Sequence, residues 1–415
     1  MKYSIITFGC EMNKSDSERI KRVLKKEGLT STEDNSNADI IIVNACAVRQ
    51  SAMDRVYGQV QKIKKWKKDN PDLKAGVTGC LLEEDRKKLK EKYDFLFDIR
   101  NLSDLPKILN LSQKEGKENY LDIKPDRNSS FSAFVPIMNG CNNFCSYCAV
   151  PYTRGREQSR SVDKIIKEIG NLSKKGYKEI WLLGQNVNSY KPISFAELLY
   201  KIEKISGDFW IRFTSPHPKD FTDSLIEAMA TCDKVTPYFN LPLQSGNNEI
   251  LKRMNRSYTV EEYKKIVHKV RKNIPSITLS TDIIVGFPGE TKAQFQNTLS
   301  IFKEIGFDMA YISKYSKRPG TKAAQMEDNV SLEEKKRRER VLTQVLKKSA
   351  LKRNKEWIGK KDKVLFDQFK DNTLIGKTKH YKTIKVESVN QNFVGKIKKV
   401  KINQAKAFGL KGEII

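Results

Sequence analysis

The sequence is poor in histidine and cysteine and has no long apolar run. Only three of its 415 residues are histidine, which leaves little material for acid–base catalysis by imidazole. The seven cysteines are few, odd in number and unevenly spaced, so a disulfide framework is not expected and the thiolates can bind metal. The first apolar run, Tyr3 to Phe8, is too short for a signal peptide or a membrane span. We therefore expect a cytoplasmic protein that does not associate with membranes.

Positive charge is in large excess. Lys and Arg number 78 against 50 Asp and Glu, a formal net charge of +28. Such a surplus attracts polyanions and favours nucleic acid as a partner, although a lysine-rich surface that only keeps a protein soluble has the same composition. The surplus is densest in residues 351–415, with 17 basic and 6 acidic side chains.

The first part of the chain alternates apolar runs with helical patterns. A capping pattern at Ser15 and Glu18 predicts the start of the first helix. The alternation predicts an α/β domain with a parallel sheet over residues 1–112, and the polar stretch 113–130 predicts a linker. Three apolar runs are typical of buried parallel strands: Tyr3–Phe8, Ala38–Val43 and Lys74–Thr78.

Six further strand-like runs, separated by helical patterns, occupy residues 131–350. They predict a partial (β/α)6 barrel of the TIM type, whose ligand sites lie at the C-terminal ends of the strands. After a basic helix, short β-rich runs in residues 351–415 predict a small antiparallel β-barrel. The six runs are Phe131–Met138, Glu179–Leu183, Phe209–Thr214, Tyr238–Leu243, Thr278–Val285 and Asp308–Ile312.

A loop after the first of these six strands carries three closely spaced cysteines, Cys141, Cys145 and Cys148. Three thiolates at this spacing can hold one face of a [4Fe–4S] cluster and leave one iron open. The amino and carboxylate groups of S-adenosylmethionine can chelate that iron. The alternatives are a structural zinc site and incidental cysteines. A zinc site needs four ligands, and no fourth Cys or His lies near this loop.

Three other cysteines, Cys10, Cys46 and Cys80, are 36 and 34 residues apart, and each follows a predicted parallel strand. Because parallel strands of one sheet end on the same side, the three thiols can converge on one ligand. The alternative is three unrelated, half-buried cysteines, which the spacing alone favours. Cys232 has no partner in any pattern and is expected to be a buried thiol.

The residues around the cluster loop resemble the signature of the radical S-adenosylmethionine methylthiotransferases. The resemblance rests on Gly140-Cys-Asn-Asn-Phe-Cys-Ser-Tyr-Cys-Ala-Val-Pro-Tyr-Thr-Arg-Gly-Arg-Glu-Gln-Ser-Arg160 and extends over nearly the whole chain. The branch matched best converts N6-(dimethylallyl)adenosine in tRNA to its 2-methylthio derivative. The resemblance implies that a 5′-deoxyadenosyl radical, generated from S-adenosylmethionine at the loop cluster, removes the hydrogen from adenine C2 before the methylthio group is inserted.

The resemblance also reverses the interpretation of Cys10, Cys46 and Cys80. Gly9-Cys10-Glu-Met-Asn13 with Asp16-Ser-Glu18, Asn44-Ala-Cys46-Ala-Val-Arg49 and Thr78-Gly-Cys80 match the family's amino-terminal domain. It implies that these cysteines hold a second [4Fe–4S] cluster, whose open iron carries the sulfur that is methylated and transferred. Ala45 stands where the family often has Thr, which leaves the expected ligand set unchanged.

Further motifs imply contacts with S-adenosylmethionine at the ends of strands. Gly184, Gln185 and Asn186 follow the second barrel strand and are expected to bind the methionine amino group through backbone carbonyls. Gly286 and Gly289 follow the fifth strand and are expected to let the chain pass close to the adenine. Without the cluster loop, this second motif would indicate only a turn.

Four more residues complete the expected cofactor site. Tyr147 packs on the adenine or shields the cluster. Gln244 and Ser245 are expected to bind the ribose hydroxyls. Arg253 either pairs with the methionine carboxylate or is an ordinary surface arginine.

Two basic regions suggest contact with RNA. Arg154, Arg156 and Arg160 either meet phosphates or a substrate base, or pair with acidic side chains as a brace. Residues 351–415 resemble a TRAM domain, in which Lys396–Ile402 forms either an RNA-binding basic face or a merely solvated one. The resemblance implies the anticodon stem-loop of tRNA as partner and a flavodoxin or ferredoxin as electron donor, and we expect a monomer.

Rival functions remain at this point. Sister methylthiotransferases act on threonylcarbamoyl-adenosine in tRNA or on a ribosomal protein aspartate. Thr214-Ser-Pro-His217-Pro-Lys219 and Pro151-Tyr-Thr-Arg154 look like the dimethylallyl branch, whereas Asn240 replaces a residue that is often His. A non-catalytic iron–sulfur protein that binds RNA or senses redox state is a more distant alternative, and it would not need the cofactor motifs.

Overall fold

The computed structural model describes residues 1–48, 50–112, 118–388 and 390–415. Arg49 and part of the expected linker, residues 113–117, therefore lie outside the described residues. Two compact units are present. The first contains Met1–Asn128, Met138–Gln158 and Ser316–Gln325, and the second contains Ser129–Ile137, Ser159–Tyr315 and Met326–Ile415. Among the described residues, no helix has the length and apolarity to cross a membrane.

The first unit is built on a parallel sheet of strand order β2-β1-β3-β4-β5, as the sequence predicted. Successive residues of β3 point to opposite faces. Ile41 and Val43 pack with α2 on one face, and Ile40 and Ile42 pack with α1 on the other. The elements are β1 (Lys2–Thr7), α1 (Glu11–Lys26), β2 (Thr30–Ser31), β3 (Ile40–Cys46), α2 (Gln50–Asp69), β4 (Lys74–Cys80), α3 (Glu83–Lys90), β5 (Phe95–Leu96) and α4 (Leu105–Ile108).

The predicted start of α1 was wrong. The helix begins at Glu11, with Cys10 as its N-cap, so Ser15 and Glu18 lie inside it and are buried. Their side chains have other uses: the Ser15 hydroxyl accepts from Arg19 Nη1 at 2.6 Å, and the Glu18 carboxylate accepts from the Asn128 backbone at 3.1 Å. Placing Cys10 at the helix start brings its thiol to the carboxyl edge of the sheet.

The second unit contains the predicted partial barrel. Two parallel sheets, β6-β9-β10 and β11-β12-β13, are joined by a parallel bridge between Ile211 and Val235. The cluster loop, Met138–Gln158, leaves β6 and contains β7, α5 and the first residue of β8, and it belongs to the first unit. The elements are β6 (Ser132–Pro136), β7 (Met138–Asn139), α5 (Val150–Arg154), β8 (Gln158–Ser159), α6 (Val162–Lys174), β9 (Glu179–Leu183), α7 (Phe195–Glu203), β10 (Trp210–Phe213), α8 (Asp223–Thr231), β11 (Tyr238–Asn240), α9 (Asn248–Arg253), α10 (Val260–Asn273), β12 (Thr278–Val285), α11 (Lys292–Ile305), β13 (Met309–Lys314) and α12 (Leu332–Lys355).

A closed five-stranded barrel ends the chain, as predicted. Its strands are antiparallel neighbours except for β16 and β18, which pair in parallel where the barrel closes. Alternate residues fill its core, among them Val364, Phe366, Val400 and Ile402. The strands are β14 (Lys361–Lys370), β15 (Thr373–Thr378), β16 (Thr383–Glu387), β17 (Ile397–Lys406) and β18 (Gly409–Ile414).

Candidate metal and cofactor sites

Cys10, Cys46 and Cys80 come together at the carboxyl edge of the first sheet. Cys46 and Cys80 are the last residues of β3 and β4 and are direct neighbours in register. Burial raises the pKa of Cys46 to about 12, and the nearby Cys80 and Cys10 thiols contribute to the increase. Gly9, at φ +124°, permits the approach, since a β-carbon there would lie 2.7 Å from the Cys46 β-carbon. The convergence that the resemblance implied is therefore present.

Two buried asparagines hold the loops that carry these thiols. Asn13 donates through its side-chain amide to Asn44 Oδ1 at 3.0 Å and to the Ala45 carbonyl at 2.9 Å. Asn44 donates in return to the Asn13 carbonyl at 2.8 Å and to Ser17 Oγ at 2.9 Å. Both asparagines are fully buried, so this network fixes the start of α1 against the end of β3.

Arg154 contacts the same thiol site. Its Nε lies 3.0 Å from the Cys80 sulfur, and its Nη2 forms a 2.5 Å ion pair with Asp16. Asp16 also accepts a short hydrogen bond from the Tyr120 hydroxyl. Of the two roles that the sequence left open for Arg154, the structure shows the brace with an acidic partner, because the side chain is too deeply buried to meet an RNA phosphate.

The loop of Cys141, Cys145 and Cys148 lies in the same unit and folds tightly on itself. Cys148 donates its backbone N–H to the Cys145 carbonyl at 2.9 Å, and Cys141 donates to the Gly155 carbonyl at 3.2 Å. Burial raises the pKa of Cys141, and the Cys145 thiol contributes to the increase. The loop therefore brings at least two of its three thiols near one another. Tyr147, between two of the cysteines, is half-buried.

At the end of β9, Gly184 is buried, Gln185 is half-buried and Asn186 is only 2% exposed. Asn186 donates to Asp220 Oδ2 at 2.8 Å, but its own side-chain oxygen has no partner among the described residues. A buried amide oxygen without a partner is costly, which makes it a candidate acceptor for a ligand.

Gln244 and Ser245 follow β11 and differ in their surroundings. Gln244 has the left-handed φ of +65°. Its backbone N–H donates to the Asp282 carbonyl at 2.8 Å, and its carbonyl accepts from the Ile284 N–H at 3.0 Å. Its buried Oε1 has no partner within the described part of the chain. The Ser245 hydroxyl instead accepts from the Asn247 N–H at 3.3 Å and lies 3.5 Å from Thr298 Oγ1.

The turn from Gly286 to Gly289 is held by a buried ion pair. Glu290 accepts from the Gly286 N–H at 2.6 Å and from Arg338 Nη1 at 2.7 Å. Arg253 lies over the Phe287 ring at 5.8 Å and packs against Gly289, where a β-carbon would come within 2.5 Å of its guanidinium. The sequence singled out Arg253, Gly286 and Gly289, but not Arg338, which lies on α12.

His217 is a site residue that the sequence did not single out for cofactor binding. Asn188 clamps its backbone, accepting from the His217 N–H at 2.7 Å and donating to its carbonyl at 2.9 Å. The ring Nδ1 accepts from the Lys219 N–H at 3.2 Å, so Nε2 carries the proton of the neutral ring. That Nε2 is buried and has no partner among the described residues. Burial, with Arg256 and Lys219, lowers the pKa of His217 to about 2, so the ring stays neutral.

The C-terminal barrel carries a ladder of like charges, which we call the lysine ladder: Lys361, Lys363, Lys399 and Lys401. Lys361 lies directly opposite Lys401 across β14 and β17, and Lys363 lies opposite Lys399. All four are exposed, and within the described residues none forms an ion pair with a carboxylate. Like charges placed opposite each other on neighbouring strands are destabilising, so this ladder is suited to an anionic partner.

Arg160, one of the three arginines considered for RNA contact, is buried and paired with Glu168 at 2.8 Å.

The residues present fit the expected groups. All seven cysteines are thiols, and two sets of three lie at the two predicted places. In the described ranges no three His, Cys, Asp or Glu side chains form a ready group for a single metal ion, and a cluster places its thiolates on separate irons. Partnerless buried atoms on Asn186, His217 and Gln244 suit a polar ligand at the strand ends of the partial barrel.

Comparison with known proteins gives two family matches. Residues 135–301 match the Radical SAM superfamily, and residues 2–98 match the Uncharacterized protein family UPF0004. The first match includes the cluster loop and four of the six strands of the partial barrel in full. The second covers the sheet that carries Cys10, Cys46 and Cys80.

Similar proteins extend over the whole chain. A tRNA-2-methylthio-N(6)-dimethylallyladenosine synthase of Clostridium botulinum strain Okra is 44% identical over 100% of this chain and 97% of its own length. The synthase of Carboxydothermus hydrogenoformans is 43% identical over 100% and 99%, and that of Finegoldia magna is 42% identical over 100% and 94%.

Solved structures show a similar fold at low sequence identity. The radical S-adenosylmethionine methyltransferase TsrM from Kitasatospora setae matches with a TM-score of 0.58 and 12% identity over 78% of this chain and 75% of its own. The cobalamin-dependent S-adenosylmethionine radical enzyme OxsB matches with a TM-score of 0.55 and 13% identity, over 85% of this chain and 56% of its own.

Proposed function

Because the chain belongs to the tRNA-2-methylthio-N(6)-dimethylallyladenosine synthases, within the radical S-adenosylmethionine superfamily, we propose that its two cysteine triads hold two separate clusters. The overall activity follows from the family: the chain is a transferase that methylthiolates the modified adenosine of tRNA in a reaction that uses S-adenosylmethionine and a [4Fe–4S] cluster. The three relatives described above all have this activity in their names, which favours it over both sister branches and over a non-catalytic protein.

We assign the S-adenosylmethionine cluster to Cys141, Cys145 and Cys148, and a second cluster to Cys10, Cys46 and Cys80. The single observation that carries the second assignment is the convergence of three thiols from three strand ends, with Cys46 and Cys80 in register. A reduced cluster held by Cys141, Cys145 and Cys148 would supply the electron that cleaves S-adenosylmethionine to methionine and a 5′-deoxyadenosyl radical, the species that would remove the hydrogen from adenine C2. The protein's own part is to hold two thiols of each set in water-poor surroundings, namely Cys46, Cys80, Cys141 and Cys145. There, burial disfavours the free thiolate and so favours its coordination.

For S-adenosylmethionine we propose contacts from Gly184, Gln185, Asn186 and Gln244, with Ser245, Tyr147, Gly286, Gly289 and Arg253 completing the site. The partnerless oxygens of Asn186 and Gln244 support this assignment, because a bound donor would relieve the cost of their burial. The ion pair of Glu290 and Arg338 supports the role of the turn, since it sets the direction of the Gly286 N–H.

For tRNA we propose that the anticodon stem-loop binds with the help of the TRAM-like barrel. The lysine ladder supports this proposal, because its like charges face each other across β14 and β17 and phosphate contacts would neutralise them. Phosphate contacts position the RNA, whereas recognition of the dimethylallyl base belongs to the catalytic part of the chain.

Several features of organisation are part of the same proposal. We divide the chain into the methylthiotransferase domain 1–112, the linker 113–130, the catalytic core 131–350 and the TRAM-like domain 351–415. The net charge of +28 favours an acidic electron donor of the flavodoxin or ferredoxin type. We propose a cytoplasmic monomer.

Mass spectrometry of tRNA nucleosides tests the substrate. In cells that lack the gene, the 2-methylthio derivative of N6-(dimethylallyl)adenosine disappears and the unmethylthiolated nucleoside accumulates, while plasmid-borne wild type restores the product. The plasmid-borne triple variant C141A/C145A/C148A is the matched control and does not restore it. Persistence of the product in the deletion strain, with no second gene responsible, would contradict the assignment, and loss of a methylthiolated threonylcarbamoyl-adenosine would point to the sister branch.

A further inference from the structure

Arg154 is one of the most deeply buried charged side chains of the protein. Its side chain is 1% exposed. The three nitrogens of its guanidinium differ in what they contact. Nε lies 3.0 Å from the Cys80 sulfur, and Nη2 lies 2.5 Å from Asp16 Oδ2. Nη1 is buried and has no partner among the described residues.

This arrangement is incomplete as it stands. Asp16 balances the charge of Arg154, but a buried N–H without an acceptor costs about 1–3 kcal/mol. The Nε–H, on the other side of the guanidinium, is directed at the Cys80 sulfur, so a cluster bound through the thiolates of Cys10, Cys46 and Cys80 would lie next to this donor.

The backbone of Arg154 is also tied to the other cysteine loop. Asn139, two residues before Cys141, donates its side-chain amide to the Arg154 carbonyl at 3.2 Å. The next carbonyl, that of Gly155, accepts from the Cys141 N–H at 3.2 Å. One short segment therefore carries hydrogen bonds to the loop of the first cluster and a side chain to the ligands of the second.

We propose that Arg154 is a positioning residue of the second cluster, which donates an N–H···S hydrogen bond to the Cys80 thiolate and stabilises the cluster's reduced state by its positive charge. This inference rests on the proposed second cluster. Hydrogen bonds to cluster sulfurs and nearby charge are the main means by which a protein sets a cluster's reduction potential. Loss of Arg154 therefore shifts the potential of this cluster in the negative direction.

Arginine suits this position better than lysine. The planar guanidinium reaches Asp16 and Cys80 at once with donors in fixed directions, whereas an ammonium is a compact charge on a flexible chain. The variant R154K therefore keeps the charge and loses part of the geometry. R154Q loses the charge, and D16N removes the compensating negative charge while Arg154 remains.

The test is an anaerobic redox titration followed by electron paramagnetic resonance, with iron analysis of each protein. All proteins are full-length and carry C141A/C145A/C148A, so that the signal belongs to the second cluster. With iron content unchanged, the potential shifts negative in R154Q, by a smaller amount in R154K, and positive in D16N. The matched control is R156Q, since Arg156 is exposed over the Phe144 ring, two residues away, and its loss leaves the potential unchanged.

The outcomes separate the two proposals. If R154Q binds its iron and has an unchanged reduction potential, the role of Arg154 is overturned and the second cluster stands. The same conclusion follows if the potentials of R154Q and D16N shift in the same direction. A parent protein that binds no iron overturns the second cluster and this inference with it. If R154Q alone fails to load iron, R154K and D16N decide, because their expected shifts have opposite signs.

Discussion

Arg212 and Thr378 are joined by a hydrogen bond of 3.0 Å from the guanidinium Nη2 to the backbone carbonyl, which ties β10 of the partial barrel to β15 of the C-terminal barrel. The same guanidinium donates to Glu179 Oε1 at 2.6 Å and to the Lys379 carbonyl at 3.1 Å. The Arg212 side chain is fully buried. The attachment of the C-terminal barrel thus depends on a charged group that water does not reach.

The variant R212M should destabilise the chain strongly, because it leaves the Glu179 carboxylate buried without its cation. Breaking a buried ion pair costs about 3–5 kcal/mol. Urea unfolding of the cluster-free chain measures the loss, and the double variant R212M/E179Q should recover part of it. The control is K269M, which breaks an exposed pair with Asp223 and should cost less than about 1 kcal/mol. Equal losses in R212M and K269M would contradict the argument.

The ion pair of Glu290 and Arg338 should affect cofactor binding. R338M leaves Glu290 buried and frees the turn whose Gly286 N–H it holds. We expect binding of S-adenosylmethionine to weaken by about tenfold, or about 1.4 kcal/mol. Equilibrium dialysis with the anaerobic, cluster-loaded protein measures this. R337M is the control, because Arg337 is on the same helix and pairs with Glu334 but not with Glu290. An unchanged affinity in R338M would exclude a role for the pair in shaping the turn.

Much of the fold could be predicted from the sequence, because buried parallel strands carry a local signal. The positions of Cys46 and Cys80 at strand ends follow from such runs. Their side-by-side register does not, because the pairing of β3 with β4 is a property of the whole sheet. Spacing alone therefore favoured three unrelated cysteines, and only the resemblance to a family reversed this.

Burial of polar residues was the part that the sequence could not predict. Arg154 and Arg156 are near neighbours and look alike in the sequence, yet Arg154 is buried and Arg156 is exposed. The difference comes from Asp16, which is 138 residues away along the chain. His217 is a similar case, since its clamp by Asn188 depends on two neighbouring strands ending side by side.

Removal of each cysteine triad should change the iron content by the same amount. C10A/C46A/C80A and C141A/C145A/C148A are each expected to lose about four of about eight irons per chain. Iron and sulfide analysis after anaerobic reconstitution measures this. The control is C232A, because Cys232 is a buried thiol outside both triads and its loss should leave the iron content unchanged. An iron content of only about four per chain in the wild-type protein would contradict the proposal of a second cluster.

The low pKa of His217 predicts a pH-dependent contribution to stability. The folded chain keeps this ring neutral down to about pH 2, whereas the unfolded chain binds a proton near pH 6.5. The unfolded state therefore gains a proton as the pH falls below 6.5, and the free energy of unfolding drops. Between pH 7 and pH 5 the His217 contribution should fall by about 2 kcal/mol.

Comparison of variants isolates this effect from other titrating groups. The unfolding free energy of wild type minus that of H217Q should fall by about 2 kcal/mol on going from pH 7 to pH 5. H268Q is the control, because it replaces an exposed histidine and leaves His217 in place. A pH-independent difference for H217Q would mean that His217 is protonated in the folded chain.

The lysine ladder should control the salt dependence of tRNA binding. Each phosphate contact contributes about −0.7 to −0.9 to the slope of log affinity against log salt concentration. K399Q/K401Q removes one side of the ladder without touching the barrel core, so binding should weaken and the slope should become shallower by about one to two units. Filter binding of the unmethylthiolated tRNA over a range of salt concentrations measures both. The matched control, K64Q/K65Q, removes two exposed lysines from α2 and loses the same net charge. If both variants change the slope equally, only the overall charge attracts the tRNA; a change confined to K399Q/K401Q places phosphate on the ladder itself.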